Sequence, residues 1–457
     1  MSFLFRRALV IFLVALFFRV AMLVIVYEHP ERMFVPDSYG YVQLAINILK
    51  GNGFSLEENP PYTPSGHRTP VYPLFIAWIY AVSGENPLGV AIVQVLISAI
   101  TPVLAYFLGL RLFSERAAWW GGLLLAISLG PIVYSVFILT ETLFTLLLSG
   151  AVLLMSIYRD QNKKGWIIGG GVLTGMAILC RPVAIFYPLT ALFLVWLIHR
   201  GHCRQFLSAS FNFLVGVTLV ITPWIIRNTW SIGYPTLTTT AGDVLFLYAV
   251  ALEADLKEIS YAQAQEDISR IWSEELLQRG EAHNETLGIR RYGALGAKML
   301  LANPGRYLYI HLKNDLYSFL PNGTEFLELL GVTQGGKGTL SVLNQKGLRA
   351  ALHNYFGKDL WLIWPMIPWF TLLGIIYIAC VIGIVALLKQ RQWFIFALLF
   401  LPVMFLLLIP GPLNNPPRFR VPAMPYVCLL AGAGLAAATS WAGHGLRKKT
   451  EGHCLIT

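Results

Sequence analysis

The chain has 457 residues, of which 56% are hydrophobic and only 13% are charged. Soluble domains carry about 25% charged residues, so this composition indicates a membrane protein and argues against a soluble enzyme or a disordered chain. The 34 Lys and Arg residues outnumber the 24 Asp and Glu residues, which gives a net charge of +10, and the five cysteines are too few for a disulfide framework.

Apolar stretches of membrane-spanning length recur along the chain. A spanning helix needs about 20 mostly apolar residues, and this rule predicts about ten (10–12) transmembrane helices, of which the fifth and sixth are short for a full crossing. The predicted spans are residues 8–27, 87–112, 117–138, 141–158, 165–180, 183–199, 206–226, 362–388, 393–410 and 420–441. No internal repeat is visible, so the inverted-repeat architecture of many transporters is not indicated.

The basic residues follow the predicted loops in an alternating pattern. With the N-terminus in the cytoplasm, the loops on that side are rich in Lys and Arg, whereas the short outer connections hold only Arg181, Arg418 and Arg420. Cytoplasmic loops of membrane proteins are enriched in Lys and Arg, so the pattern predicts a multi-pass protein with both termini in the cytoplasm. The net charge then reflects topology, and nucleic acid is not expected as a partner.

The first long outer segment covers about 28–86. Within it, residues 37–50 have helical periodicity and few charges, which predicts a helix lying along the membrane interface with Asp37 at its N-terminus. A Pro- and Gly-rich loop then leads to a second short apolar helix at 71–82. Both helices would bring polar residues to the outer face of the bundle.

The second long outer segment, 227–360, is more polar than the rest of the chain. Residues 253–280 predict an amphipathic helix, and a second helical pattern covers about 286–316, with Pro304 as a break. The chain is therefore predicted to have three parts. They are a transmembrane module at 1–226, a small and mainly helical extracytoplasmic segment at 227–360, and C-terminal transmembrane helices with a cytoplasmic tail at 361–457.

Two acidic residues lie where a membrane makes charge costly. An ionisable group at membrane depth costs about 2.5–3.5 kcal/mol on insertion scales, so it indicates a functional site by default. Glu141 stands at the outer end of the span pair 117–158, and Asp37 follows the first span. Each has an ordinary alternative, because Thr140 and Asp37 are also favoured residue types at helix N-caps. Position alone leaves both interpretations open.

Further polar residues gather on the same outer face. They come from the block HRTPVYP in the first outer segment and from the connections at the ends of spans five, seven and nine. The candidates are His67, Arg68, Tyr72, Arg181, Arg227, Arg418 and Arg420. Taken singly, each arginine is explained by snorkelling to lipid phosphate. Taken together with two acids, the arginines favour a site for a lipid phosphate substrate, because guanidinium groups make paired hydrogen bonds to phosphate.

Several common cofactor motifs are missing from the sequence. There is no GxxxxGK[ST] phosphate loop and no GxGxxG after a strand, so a nucleotide site is not indicated. There is also no HExxH or Cys/His zinc pattern, so no metal site is predicted.

Blocks spread over about 30–425 resemble a known family. They are PDSYGYVQLAINILKGNGFS, PYTPSGHRTPVYPLFIAWIYAVSG, GVLTGMAILCRP, TPWIIRN, ANPGRYLYIHLKNDLYSFLP and PRFRVPAMP. They are similar to the polyprenyl-phosphate-sugar glycosyltransferases of the GT-C type, glycosyltransferase family 39, which are related to protein O-mannosyltransferases and lipid A aminoarabinose transferase. That family usually has an acidic pair or Asp-Ser at the position of Asp37. Here it is Asp-Ser, so a second adjacent carboxylate is absent.

The resemblance implies an all-α GT-C bundle that transfers a sugar, with inversion, from a polyprenyl-phosphate donor. The acceptor would be a protein, lipid or glycan on the periplasmic face of a bacterial inner membrane. Asp37 matches the family's catalytic base and Glu141 its second acid, while Arg68, Arg181 and either Arg418 or Arg420 would hold the phosphate. No cofactor is required, and a divalent metal at Asp37 and Glu141 is compatible with the resemblance.

Two other classes of function stay open at this point. A lipid-linked sugar flippase or transporter would also place charges in the membrane, although it should show a polar path through the middle of the spans. A non-catalytic subunit of surface-polysaccharide assembly would tolerate replacement of Asp37 and Glu141. Neither the sugar nor the acceptor can be read from the sequence.

Overall fold

The computed structural model describes residues 3–278, 285–321, 323–332, 339–356, 360–409 and 416–451. Every regular element in these ranges is helical, which confirms the all-α prediction. Residues 279–280 and 410, at the ends of two predicted helices, lie outside the described residues.

Nineteen α-helices follow one another in the described ranges. They are α1 Phe3–Val26, α2 Pro36–Leu49, α3 Val71–Ser83, α4 Pro87–Leu112, α5 Glu115–Ala126, α6 Leu129–Val133, α7 Glu141–Gln161, α8 Lys164–Cys180, α9 Tyr187–Ile198, α10 Cys203–Ile232, α11 Thr240–Lys257, α12 Tyr261–Gln278, α13 Glu285–Ala302, α14 Pro304–Tyr317, α15 Gly323–Leu329, α16 Thr339–Phe356, α17 Ile367–Lys389, α18 Trp393–Leu408 and α19 Met424–Glu451. Short 3-10 helices occur at Pro30–Met33, Pro182–Phe186, Leu360–Met366 and Pro416–Ala423.

Six of the described helical segments are long and apolar enough to cross a membrane. They are Leu4–Val26, Pro87–Leu112, Glu141–Gln161, Cys203–Ile232, Trp361–Lys389 and Pro417–Thr439. Four shorter apolar helical segments accompany them: Val71–Ser83, Lys164–Cys180, Pro182–Ile198 and Trp393–Leu408. The multi-pass architecture is therefore confirmed, and the count of ten spans stays a prediction.

The prediction of a single span at 117–138 is wrong, because these residues do not form one helix. Helix α5 ends at Ala126, the short α6 follows, and the chain then runs through turns to the start of α7. Pro131 has no N–H to donate to a preceding carbonyl group, so it disfavours a continuous helix here. Buried side chains supply the missing hydrogen bonds: Arg19 Nη1 donates to Ala126 O at 2.9 Å, and Gln94 Nε2 donates to Phe137 O at 2.7 Å.

The segment 227–360, predicted to be extracytoplasmic, is helical in its described residues, as expected, with one further break. The predicted helix 253–280 is divided between α11 and α12, because Glu258 adopts a left-handed conformation (φ 55°) that ends α11. The predicted break at Pro304 is confirmed, since α14 begins there. Aromatic packing of Phe246 against Trp272 and Tyr292 joins three of the segment's helices.

Small residues bring two pairs of bundle helices into close contact. A Cβ atom at Gly171 of α8 would overlap the carbonyl oxygen of Phe213 in α10, and one at Gly434 of α19 would overlap the carbonyl oxygen of Ala379 in α17. Close approach at glycine is the usual way in which membrane helices gain packing contacts. The resulting bundle brings the start of α2, the residues before α3, the start of α7, the end of α8 and the residues before α19 to one place.

Candidate active site

Asp37 lies in the first turn of α2, and its position follows from local sequence. Val35 is the N-cap residue, Pro36 takes the first helical position, and the Ser38 hydroxyl accepts a hydrogen bond from Val35 N at 3.1 Å. The Asp37 carboxylate is therefore not used as the helix cap. The alternative interpretation of this residue as an N-cap does not apply.

Both carboxylate oxygens of Asp37 accept hydrogen bonds from arginines. Arg68 Nη2 donates to Oδ1 at 2.7 Å, and Arg418 Nη1 donates to Oδ2 at 2.7 Å. Burial alone would raise the pKa of Asp37, but the positive charges of Arg418 and Arg68 outweigh burial and hold that pKa well below its usual range. Asp37 is thus ionised and strongly paired.

Glu141 is fully buried and forms the second acidic position of the site. Its Oε1 accepts hydrogen bonds from Arg181 Nη1 and from Arg418 Nε, while its Oε2 has no hydrogen-bond partner among the described residues. Thr140 is the N-cap residue of α7, but its side chain makes no capping hydrogen bond. The role of Glu141 is therefore not explained by a Thr140 cap.

Arg418 joins the two acids, so five side chains form one continuous set. We call Asp37, Arg68, Glu141, Arg181 and Arg418 the charge network. Three guanidinium groups and two carboxylates leave it with one net positive charge when all five are ionised. The members come from residues up to 381 positions apart in the chain, so the fold alone brings them together.

Aromatic rings contact two of the three arginines of the charge network. The Arg68 guanidinium lies 4.8 Å from the ring centre of Tyr41, and that of Arg181 lies 5.0 Å from the ring centre of Phe419. Such contacts are attractive because the face of an aromatic ring is electronegative. Arg68 and Arg181 are therefore oriented by packing as well as by the acids.

Two predicted arginines lie outside the charge network. Arg420 donates from Nη1 to Ser318 O at 3.1 Å and also bonds Leu320 O, so it attaches the segment predicted to be extracytoplasmic to the bundle. Arg227 donates to Ser65 O at 2.7 Å and to Phe54 O at 3.3 Å. The contacts of Arg227 order the first outer loop. The described contacts of Arg420 and Arg227 do not include Asp37 or Glu141.

Tyr72 and His67 also lie beside the charge network rather than in it. Tyr72 is buried and donates to Gln94 Oε1 at 2.7 Å, which orients the amide that holds the turn before α7. His67 Nδ1 lies 3.3 Å from Asp243 Oδ2 of α11. Burial, reinforced by the positive charge of Arg68, lowers the pKa of His67 to about 4, so the ring is neutral at pH 7.

Sequence reasoning missed one polar contact next to the charge network. The Tyr134 hydroxyl donates to Glu325 Oε1 at 3.1 Å, and Glu325, in α15, is only 5% exposed. The Tyr134 carbonyl in turn accepts from Thr142 Oγ1 at 3.0 Å, directly after Glu141. Tyr134 was hidden in an apolar stretch and Glu325 in a polar segment where acids are common, so neither stood out.

The described residues show no ready-made metal site. Within the described ranges, no group of three His, Cys, Asp or Glu side chains is gathered to hold a metal ion. Asp37 and Glu141 are instead linked by the guanidinium of Arg418, whose charge would repel a metal cation at the same position.

Comparison with known proteins supports the family resemblance. Residues 67–230, about a third of the chain, match the family model described as dolichyl-phosphate-mannose-protein mannosyltransferase. This matched region includes Arg68, Glu141 and Arg181 but not Asp37 or Arg418. No curated protein matches the sequence.

Solved structures show the fold. The oligosaccharyltransferase of Archaeoglobus fulgidus in its apo form aligns over 97% of this chain and 52% of its own, with a TM-score of 0.54 and 13% identity. The same enzyme, AglB, in complex with an inhibitory peptide and a dolichol-phosphate aligns over 99% and 52%, with a TM-score of 0.53 and 13% identity. The chain has the predicted GT-C fold and spans about half the length of these archaeal chains.

A bacterial structure also matches, at lower similarity. ArnT from Cupriavidus metallidurans bound to undecaprenyl phosphate aligns over 93% of this chain and 78% of its own, with a TM-score of 0.40 and 14% identity.

Proposed function

We propose that this protein is a membrane glycosyltransferase that moves a sugar from a polyprenyl-phosphate-linked donor to an acceptor. The observation that carries the proposal is the charge network, in which three guanidinium groups surround two carboxylates at the ends of separate helices. The family model over residues 67–230 and the dolichol-phosphate bound to the archaeal enzyme of the same fold support a lipid phosphate as the ligand.

The proposed reaction is a single displacement at the anomeric carbon of the sugar. Asp37 accepts the proton of the acceptor hydroxyl or amine as that atom bonds to the anomeric carbon, a role that requires hydrogen-bond reach of the acceptor. The bond from the anomeric carbon to the phosphate oxygen breaks, and its electron pair stays on the phosphate. The sugar's configuration is inverted as a result.

The arginines stabilise the leaving group. Negative charge grows on the phosphate during the displacement, and fixed positive groups at that position lower the barrier. Arg68, Arg181 and Arg418 are the residues of the charge network suited to this role. Glu141 keeps Arg181 and Arg418 in place and acts as a positioning residue.

We further propose that the site faces the periplasm of a bacterial inner membrane, with both termini in the cytoplasm. The clustered Lys and Arg residues of the predicted cytoplasmic loops support this orientation. Residues 1–226 would then form the catalytic module and 227–360 the part that meets the acceptor. The archaeal enzyme of the same fold has been solved with an inhibitory peptide, which supports a peptide as one class of acceptor to test first.

The experiment that tests the function uses the full chain reconstituted in liposomes with an undecaprenyl-phosphate-linked sugar. We expect a new glycosidic bond on the acceptor, detected by mass spectrometry, and no transfer by the Asp37→Asn variant, which should still insert and fold. Movement of the lipid across the bilayer without a new bond would instead identify a transporter. Wild-type transfer by Asp37→Asn would remove Asp37 from the chemistry.

The proposed mechanism assigns no step to a metal. The archaeal enzyme has been solved in complex with Zn and sulfate, so a divalent metal is a reasonable variable to control. Because Arg418 occupies the position between the two acids, we expect EDTA to leave the transfer rate within about twofold. If EDTA lowers the transfer rate by more than this and added Zn²⁺ or Mn²⁺ restores the rate, the expectation is wrong.

A further inference from the structure

Asp37 is paired, in the structure, with two of the arginines that the proposed function assigns to the donor phosphate. One of its carboxylate oxygens accepts from Arg68 and the other from Arg418, both at 2.7 Å. A carboxylate that accepts from two guanidinium groups is a weak proton acceptor, since both partners favour its ionised form. The arrangement as it stands therefore resembles a site at rest.

We propose that the phosphate of the donor takes the guanidinium groups of Arg68 and Arg418 away from Asp37, so that Asp37 becomes an effective base only when the donor is bound. This inference rests on the proposed function and concerns how the same site is regulated. The carboxylate of Asp37 acts as an internal substitute for phosphate, because both groups present oxygens that suit the guanidinium fork.

The burial of the two acids supports the choice of Asp37 as the exchangeable one. The Asp37 side chain is 35% exposed, whereas the Glu141 side chain is fully buried. An incoming lipid phosphate can therefore approach Asp37 and its two arginines from the open side. Glu141 is fully buried and stays paired with Arg181 and Arg418.

The arginines are anchored so that they can exchange partners without leaving the site. Arg418 bonds Glu141 through Nε and Asp37 through Nη1, so loss of the Asp37 contact leaves the Glu141 contact intact. Arg68 remains against the ring of Tyr41, and its buried Nε has no hydrogen-bond partner among the described residues.

At each stage of the reaction the charges are matched and the proton is accounted for. A donor with one phosphodiester charge neutralises the single net positive charge of the charge network. During transfer the acceptor's proton moves to the freed Asp37, and the leaving phosphate gains one negative charge. The network, now with one carboxylate fewer, carries two net positive charges and again matches the phosphate.

The test is an infrared titration of the purified full-length protein with and without undecaprenyl phosphate. The protonated carboxyl band of Asp37 is identified by its loss in Asp37→Asn. We expect the midpoint of its titration to rise by at least about one pH unit when undecaprenyl phosphate is bound. Undecaprenol, which has the same chain but no phosphate, should leave the midpoint unchanged, and an equal rise with undecaprenol would overturn the proposal.

A second variant, Arg68→Gln, tests the proposed exchange of partners independently. Arg68→Gln removes one of the two partners, so its free form should already show a raised midpoint and a smaller further rise with the lipid. Binding of the lipid is measured separately by native mass spectrometry. If undecaprenyl phosphate binds but the midpoint does not move, the exchange is wrong and the proposed function stands. If the lipid does not bind, both are wrong.

Discussion

The two ends of the charge network differ in burial and in the parts of the fold that carry them. The inner end, Glu141 with Arg181, lies between α7 and the end of α8, and the two side chains are 0% and 11% exposed. The outer end, Asp37 with Arg68, belongs to the first outer loop, and its side chains are 35% and 17% exposed. A buried ion pair contributes fixed geometry, whereas a half-exposed pair can exchange a partner for a ligand.

This difference in burial suits the two acids to different roles: Glu141 holds the arginines in place, and Asp37 takes part in the proposed reaction. Glu141 compensates two buried guanidinium groups that would otherwise be costly inside the bundle, and its loss should first affect the fold. Asp37 faces the open side, and its loss should first affect the reaction.

Replacing Glu141 should damage the fold more than replacing Asp37. Glu141→Gln leaves Arg181 and Arg418 buried without an acidic partner at the inner end, and breaking a buried pair in this way costs about 3–5 kcal/mol. The matched variant Asp37→Asn acts on a partly exposed pair and should cost less than about 1 kcal/mol. Thermal unfolding in detergent, followed by tryptophan fluorescence, measures both. Equal losses would contradict the comparison.

Arg418, which connects the two ends, should be sensitive even to a conservative change. A lysine has a single ammonium group and cannot present the planar fork that bonds Asp37 and Glu141 together. We expect Arg418→Lys to lower kcat/KM for transfer by about 10²–10³-fold, the usual effect of losing one donor to a developing anion. The control is Arg420→Lys, because Arg420 bonds carbonyl groups of the extracytoplasmic segment. A comparable loss in the control would place Arg420 at the phosphate after all.

His67 should have the smallest effect, and its sign can be derived. Its pKa is lowered from 6.5 to about 4 in the folded protein, so the unfolded chain binds more protons between these values. Stability from the neutral ring is therefore present above pH 6.5 and lost as pH falls towards 4. His67→Gln should flatten this dependence by less than about 1 kcal/mol, measured by unfolding at pH 4.5 and pH 7. An unchanged slope would mean that His67 does not titrate in this range.

The sequence predicts the members of the charge network better than their contacts. Asp37, Glu141 and Arg181 are conspicuous because ionisable residues are rare and costly in apolar stretches. Which arginine faces which acid depends on the packing of helices far apart in the chain. For this reason Arg418 and Arg420, two positions apart, could not be distinguished, although one lies at the centre of the site and the other holds the extracytoplasmic segment.

Two features could not be predicted from the sequence, for a similar physical reason. Average hydropathy over 117–138 predicts a span, because it does not register that Arg19 and Gln94 on other helices satisfy the carbonyl groups of a break. Glu325 looks like an ordinary surface acid until the fold buries it against Tyr134. Tertiary hydrogen bonds of this kind are specified by the whole chain and leave no local pattern.

The break between α5 and α7 has a consequence for the electrostatics of the site. Because the chain unwinds after Ala126, α7 begins at the buried Glu141 instead of continuing from an earlier turn. The first amide groups of α7 have no carbonyl partner within the helix, and such an end carries about half of a positive elementary charge. The backbone thus adds a positive macrodipole end beside the guanidinium groups of Arg181 and Arg418, and this partial charge does not titrate with pH.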